Sequence, residues 1–196
     1  VRFPVNLKEI STEVFMNTGL TKVNLSSSPN LKNIGLHAFS ECKKLLNIVL
    51  PNSVATLERC AFYRCTNLTK VTLSNNITVI KVWTFAGCEN LTTINIPEKL
   101  EEINEEAFKD CKLLTTLVFP DEVKRVKIDP TAFSGCDKLT KVSVYKGIII
   151  NDTTINEGDF SLGSKSVKLE CRAELTKPVT VEGIDTKPKR SKTKPN

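Results

Sequence analysis

The chain has 196 residues, 40% hydrophobic and 26% charged, which supplies apolar matter for a core within one or two domains. Its net charge of +6 is uneven: of 28 bases, Lys187, Lys189, Arg190, Lys192 and Lys194 follow Asp185 with no acid among them, so the rest is close to neutral. One histidine, His37, cannot supply a multi-histidine metal site or anchor a Ser-His-Asp triad. The eight glycines form no phosphate loop, no window approaches the apolar length of a membrane helix, and none reads as a signal peptide. No acid, base and nucleophile can be assembled, so the expectation is a non-enzymatic chain without cofactor or metal.

From the N terminus, Phe3-Pro4, Leu7 and Ile10 repeat the spacing of Phe119-Pro120, Val123 and Val126. The chain thus starts inside a repeat, which predicts more solenoid ahead of Val1. Phe15, Phe39, Phe62, Phe85, Phe108 and Phe133 then follow at separations of 24, 23, 23, 23 and 25 residues. From Phe39 onward a cysteine stands three residues after each Phe: Cys42, Cys65, Cys88, Cys111 and Cys136. Leu45, Leu68, Leu91, Leu114 and Leu139 come at plus six. Next come the pairs Ile48/Leu50, Val71/Leu73, Ile94/Ile96, Leu117/Phe119 and Val142/Val144. The unit after Phe15 has one residue fewer before Leu20, Val23 and Leu25, and Ser26 to Pro29 restore the spacing.

A unit this short cannot bury its apolar side alone and must stack on its neighbours. The segment Ile94-Asn95-Ile96 alternates with period two and predicts a short strand in each turn, so that the array carries a parallel sheet. Ala107-Phe108 to Cys111 predicts one helical or 3₁₀ turn on the opposite side. The predicted fold is therefore a β-rich α/β solenoid, right-handed, with a sheet along one face and short helical turns opposite.

The consensus Leu-x-x-Ile-x-Ile-Pro-x-x-Val-x-x-Ile-x-x-x-Ala-Phe-x-x-Cys resembles the BspA-type leucine-rich repeat family, also called the Treponema pallidum-type class. Residues 1 to about 145 carry the resemblance, with departures at Thr84, at Ser74 and after Phe15, where the cysteine is missing. It implies a secreted or cell-surface protein that adheres to host proteins or other cells. Fold alone does not fix that function.

Five cysteines at one repeat position suggest a column of buried thiols, each able to donate a hydrogen bond to a loop carbonyl. Cys60 and Cys171 are out of register, and Cys171 falls in the alternating run Val167, Leu169, Cys171, Ala173, Leu175, which predicts a strand. With Ile94 and Ile96 inward, the strand register exposes Lys22, Asn24, Asn47, Val49, Lys70, Thr72, Thr93, Asn95, Thr116, Val118, Lys141 and Ser143, with Tyr145 at the end. This ribbon carries no carboxylate and is the candidate surface for a protein or glycan partner. The sequons at Asn67 and Asn90 arise because the repeat spells Cys-x-Asn-Leu-Thr; Asn24, Asn76 and Asn151 begin others. His37 stands at a variable repeat position and reads as a surface residue.

Beyond Tyr145 the phase is lost, and residues 146–178 are expected to add two or three strands that cap the open end. Residues 179–196, rich in Pro, Lys and Thr, read as a basic linker. Two functional expectations follow: a binding module at the cell surface or secreted, or an intracellular scaffold whose tail touches nucleic acid or anionic lipid.

Overall fold

The computed structural model describes residues 3–156, 159–162 and 165–172, and in the last two stretches residues 159–162, 165 and 166 by backbone alone. The basic tail and the end of the proposed cap lie outside these residues. The strands in chain order are β1 (Glu9–Ile10), β2 (Asn33–Ile34), β3 (Asn47–Val49), β4 (Thr56–Leu57), β5 (Lys70–Thr72), β6 (Val79–Ile80), β7 (Thr93–Ile94) and β8 (Glu102–Ile103). They continue with β9 (Thr116–Val118), β10 (Arg125–Ile128), β11 (Lys141–Tyr145), β12 (Ile148–Ile150), β13 (Thr153–Ile155), β14 (Asp159–Leu162) and β15 (Lys165–Arg172). Together they wind a parallel β-solenoid of about six turns.

Each turn carries two strands rather than one. The alternating apolar segment gives the ladder β3-β5-β7, resumed as β9-β11-β15, with Ile48, Val71 and Ile94 in register. A second ladder, β1-β2-β4 and then β6-β8-β10-β12, stacks Ile10, Ile34 and Leu57, then Ile80 and Ile103. These strands are mostly two residues long, too short for a period to reveal them. Val54, Ile77 and Leu100 feed the same core, which the phenylalanines close from the opposite side. Phe39, Phe62, Phe85 and Phe108 are fully buried in one file, with successive ring centroids 5.3, 5.6 and 5.4 Å apart.

No helix forms among the described residues, so the expected 3₁₀ or α turn is corrected to a chain of single turns. Alternate amides bond in different directions. Ala38, Ser40 and Cys42 donate to the carbonyls of Gly35, His37 and Phe39 three residues back, whereas His37, Phe39 and Glu41 donate to Arg59, Ala61 and Tyr63 of the next turn. A 3₁₀ helix needs every amide within its own turn. Here every second one is used to hold the neighbouring coil, and the backbone swings into the left-handed region at His37 (φ 52°) and Glu41 (φ 57°). Cys60/Arg64, Trp83/Gly87 and Glu106/Asp110 repeat that pair of positive φ values.

The ladders run past Tyr145. β12 pairs in parallel with β10, through Val126 and Ile150, and β15 pairs with β11 from Lys141 to Tyr145. Each also has an antiparallel partner, β13 following β12 and β14 preceding β15. Asn151 and Asp152, both at positive φ, form the two-residue turn that a tight hairpin requires.

Candidate binding surfaces

The strand ladder places Asn47, Lys70 and Thr93 in one row across three turns, with Val49 beside Thr72 in the next row. Neighbouring rungs are ~4.8 Å apart, so these side chains form a continuous strip. Lys22, Asn24, Asn47, Val49, Lys70, Thr93 and Val118 are exposed, and Thr72, Thr116 and Lys141 are half-buried. Val49 at 59% and Val118 at 48% are among the most exposed large apolar side chains of the array.

Three expectations about this ribbon are corrected. Ser143 and Tyr145 are buried, because β15 pairs along β11 and brings Arg172 over that end. The Arg172 guanidinium donates to the Phe119 carbonyl and pairs with Asp121 at 3.0 Å. The ribbon also carries a carboxylate: Glu170 of β15 lies beside Ser143 and pairs with Lys141 at 2.7 Å. Finally, Asn95 brackets the backbone of the preceding turn. Its Oδ1 accepts from the Leu73 amide at 2.6 Å and its Nδ2 donates to the Leu73 carbonyl at 3.2 Å. Asn151 does the same to Ile128.

The five thiols of the column donate to the carbonyl of the Phe one turn earlier: Cys42 to Phe15, Cys65 to Phe39, Cys88 to Phe62, Cys111 to Phe85 and Cys136 to Phe108, at 3.0–3.3 Å. All are buried and none is in a disulfide. Burial pushes the Cys65 and Cys111 thiols well up and the Cys88 thiol up to about 12. Cys60 is buried as well, at a left-handed corner, and Cys171 is partly buried on β15.

A second surface lies on the turn side, at positions that vary between repeats. His37 is half-buried, not a plain surface residue, and meets Tyr63 edge-on at 6.5 Å; Tyr63 meets Trp83 at 6.3 Å. The Trp83 indole N–H donates to Glu106 Oε2 at 2.8 Å, and Lys109 pairs with Glu106 Oε1 at 2.9 Å. Lys109 first, and the indole second, hold the Glu106 carboxyl below its usual range. Tyr63, Trp83, Glu106 and Lys109 rim a cavity of about 200 Å³, with His37 outside it behind Tyr63. The sequence signal was the lone Trp, which repeat spacing alone does not connect with Tyr63.

A wider cleft of about 630 Å³ opens on the second ladder, between residues 98–102 and 122–127. The 25-residue spacing from Phe108 to Phe133 creates it. The first half of β10 pairs only with β12 and the second half only with β8. Four carboxylates and four cationic side chains line it. Among the described residues, no group of three or more His, Cys, Asp and Glu is placed to hold a metal ion, and no helix is long and apolar enough to cross a membrane.

Compared with known proteins, residues 8–140 and 108–177 match a family model described as a BspA type leucine rich repeat region in 6 copies. A leucine rich repeat protein of T. pallidum is 28% identical, with a TM-score of 0.57 over 69% of this chain and 65% of its own. A leucine rich cell surface protein of Faecalibacterium prausnitzii A2-165 is 22% identical, with a TM-score of 0.52 over 78% of this chain and 56% of its own, and shares the fold. The chain thus spans somewhat under two thirds of the length of these solved relatives. No curated protein matches it.

Proposed function

Since the chain belongs to the BspA-type leucine-rich repeat family, we propose that it is a non-enzymatic, protein-binding module displayed at the cell surface, adhering through its strand ribbon. The observation that carries this reading is the row Asn47–Lys70–Thr93 flanked by exposed Val49, repeated beyond β7 as Thr116 and Lys141 with exposed Val118. An apolar side chain on a solvated strand gains nothing from burial in the fold. Set among lysine, threonine and asparagine, it gives a partner an apolar contact with hydrogen-bonding groups around it. Parallel rungs repeat that contact along the array, so weak contacts add through a shared rigid frame. The description of one solved relative as a cell surface protein supports the location.

The test is binding to a panel of immobilised host extracellular proteins. V49E, K70E, T93E and T116E, combined in a chain that melts like the parent, should weaken capture at least tenfold. Unchanged capture by that variant would refute the ribbon as the adhesive face.

A further inference from the structure

We infer that the cavity between Tyr63 and Trp83 on the turn side is a carbohydrate subsite that takes one neutral sugar ring. Four observations converge on it. The chain has one Trp and two Tyr, and Trp83 and Tyr63 line this cavity from two successive turns, with the one His, His37, edge-on to Tyr63 from the turn before. Trp83 is 39% exposed, yet its indole is fixed by the hydrogen bond to Glu106, so the ring is held out at little further ordering cost on binding.

The cavity is a gap in a ridge. At the two positions after the repeat phenylalanine, the bulky pair Tyr63-Arg64 is followed one turn on by Ala86-Gly87 and then by Lys109-Asp110. Small residues between two large pairs leave about 200 Å³ beside Trp83, a single-ring volume and less than drug-sized pockets provide. Polar groups stand at its rim. Glu106 is engaged by Trp83 and Lys109, whereas the Asp110 carboxylate has no hydrogen-bond partner among the described residues and is available to sugar hydroxyls.

Charge decides between a sugar and a cationic ligand, the other occupant of aromatic pockets. The rim holds Arg64 and Lys109 against Glu106 and Asp110, and the Arg64 guanidinium already lies over the Tyr63 ring at 5.1 Å. A second cation would meet Arg64 and gain little from a balanced rim. A neutral ring with apolar C–H faces and hydroxyl edges matches aromatic walls and a mixed rim.

Because Trp83 is the only tryptophan, its emission reads this cavity directly. The full chain is titrated with methyl glycosides of glucose, galactose, mannose and N-acetylglucosamine, and with tetramethylammonium chloride. The expected result is a saturable change with at least one glycoside, with a Kd in the millimolar range. Tyr63→Ala and Asp110→Gly import the residues that the neighbouring turns carry at those positions, so the backbone tolerates both. Each should weaken the response about five- to tenfold while the melting temperature stays near the parent's. The ribbon variant V49E/K70E/T93E/T116E should leave it unchanged. A response to tetramethylammonium alone, no response to any glycoside, or full-strength binding by both cavity variants would overturn the assignment.

Discussion

The Cys65 thiol lies 3.0 Å from the carbonyl oxygen of Phe39, one turn earlier, and the Phe39 ring in turn stacks on Phe62 at 5.3 Å. One short side chain thereby adds a second donor to a buried carbonyl that already accepts from the Cys42 amide at 3.2 Å. Cys65→Ala keeps the size small and removes that second donor while the Cys42 amide stays in place. The expected cost is about 0.5–1.5 kcal/mol of unfolding free energy, read from urea denaturation. Cys65→Ser, which keeps a donor, should recover part of it.

The same burial makes the column sensitive to alkali. Folded Cys88 keeps its proton up to about 12, against an ordinary 9.0. The folded state thus holds a proton where the unfolded chain has lost it, and stability falls as pH rises. The contribution is full below about pH 9 and is lost as pH climbs toward about 12, roughly 4 kcal/mol for Cys88 alone. Melting temperature should be flat from neutrality to that lower bound and then drop, with a shallower drop in Cys88→Ala. In native protein at pH 8, Cys42, Cys65, Cys88, Cys111 and Cys136 should resist a thiol reagent until denaturant is added.

The aromatic file predicts a gradient along the array. Phe85 stacks on Phe62 and Phe108 and is fully buried, whereas Phe15 is half-buried between Phe3 and Phe39. Phe85→Ala should cost about 3–5 kcal/mol, and Phe15→Ala clearly less, since part of its ring is already in water. Equal losses in urea denaturation would mean that the file is not the source of the stability.

Repeated burial is legible in sequence because a column must hold the same kind of residue on every turn, as with Cys42 to Cys136 and the phenylalanines. What lies between repeats is not. The left-handed corners at His37, Cys60 and Trp83 are held by cross-turn amide bonds to main-chain carbonyls and that at Glu106 by an amide bond to the Thr131 hydroxyl, and the four side chains share no chemistry. Two-residue strands such as β6 have no period to read. Asn95 looks like any solvated asparagine, because its partner is a main-chain segment 22 residues away. The burial of Ser143 and Tyr145 depends on β15, which joins the ladder from outside the repeat phase. Trp83 and Tyr63 sit at different variable positions, and only the winding of the chain brings them together.

Asn95 separates a bracing role from a contact role on the strand face. Asn95→Ala removes both hydrogen bonds to Leu73 and leaves its amide and carbonyl to find water at the sheet surface. The expected loss is about 1–3 kcal/mol, measured by urea denaturation. Asn95→Asp keeps the acceptor but loses the donor, and its charge faces the Leu73 carbonyl, so it should be no better than alanine. Thr93→Ala, two residues away and exposed, should change stability by no more than about 0.5 kcal/mol.

A last prediction concerns two glycines that the sequence does not distinguish. A Cβ on Gly35 would lie 2.8 Å from the Ser11 carbonyl carbon and the Thr12 nitrogen and 2.9 Å from the Ile10 oxygen. All three are backbone atoms of the preceding turn, and β1 and β2 pair immediately beside them. No rotamer change can relieve that contact, so Gly35→Ala must push the two turns apart and strain the amide bond from Gly35 to Ile10, 2.7 Å in the native fold. The expected cost is about 1–3 kcal/mol. A Cβ on Gly19 meets nothing within 4 Å, and its backbone is not left-handed. Gly19→Ala should therefore be neutral or stabilising, by up to about 1 kcal/mol through the unfolded chain. Urea midpoints of the two variants read the difference. If Gly35→Ala unfolds no more easily than Gly19→Ala, the close approach of these two turns is not a constraint on the fold.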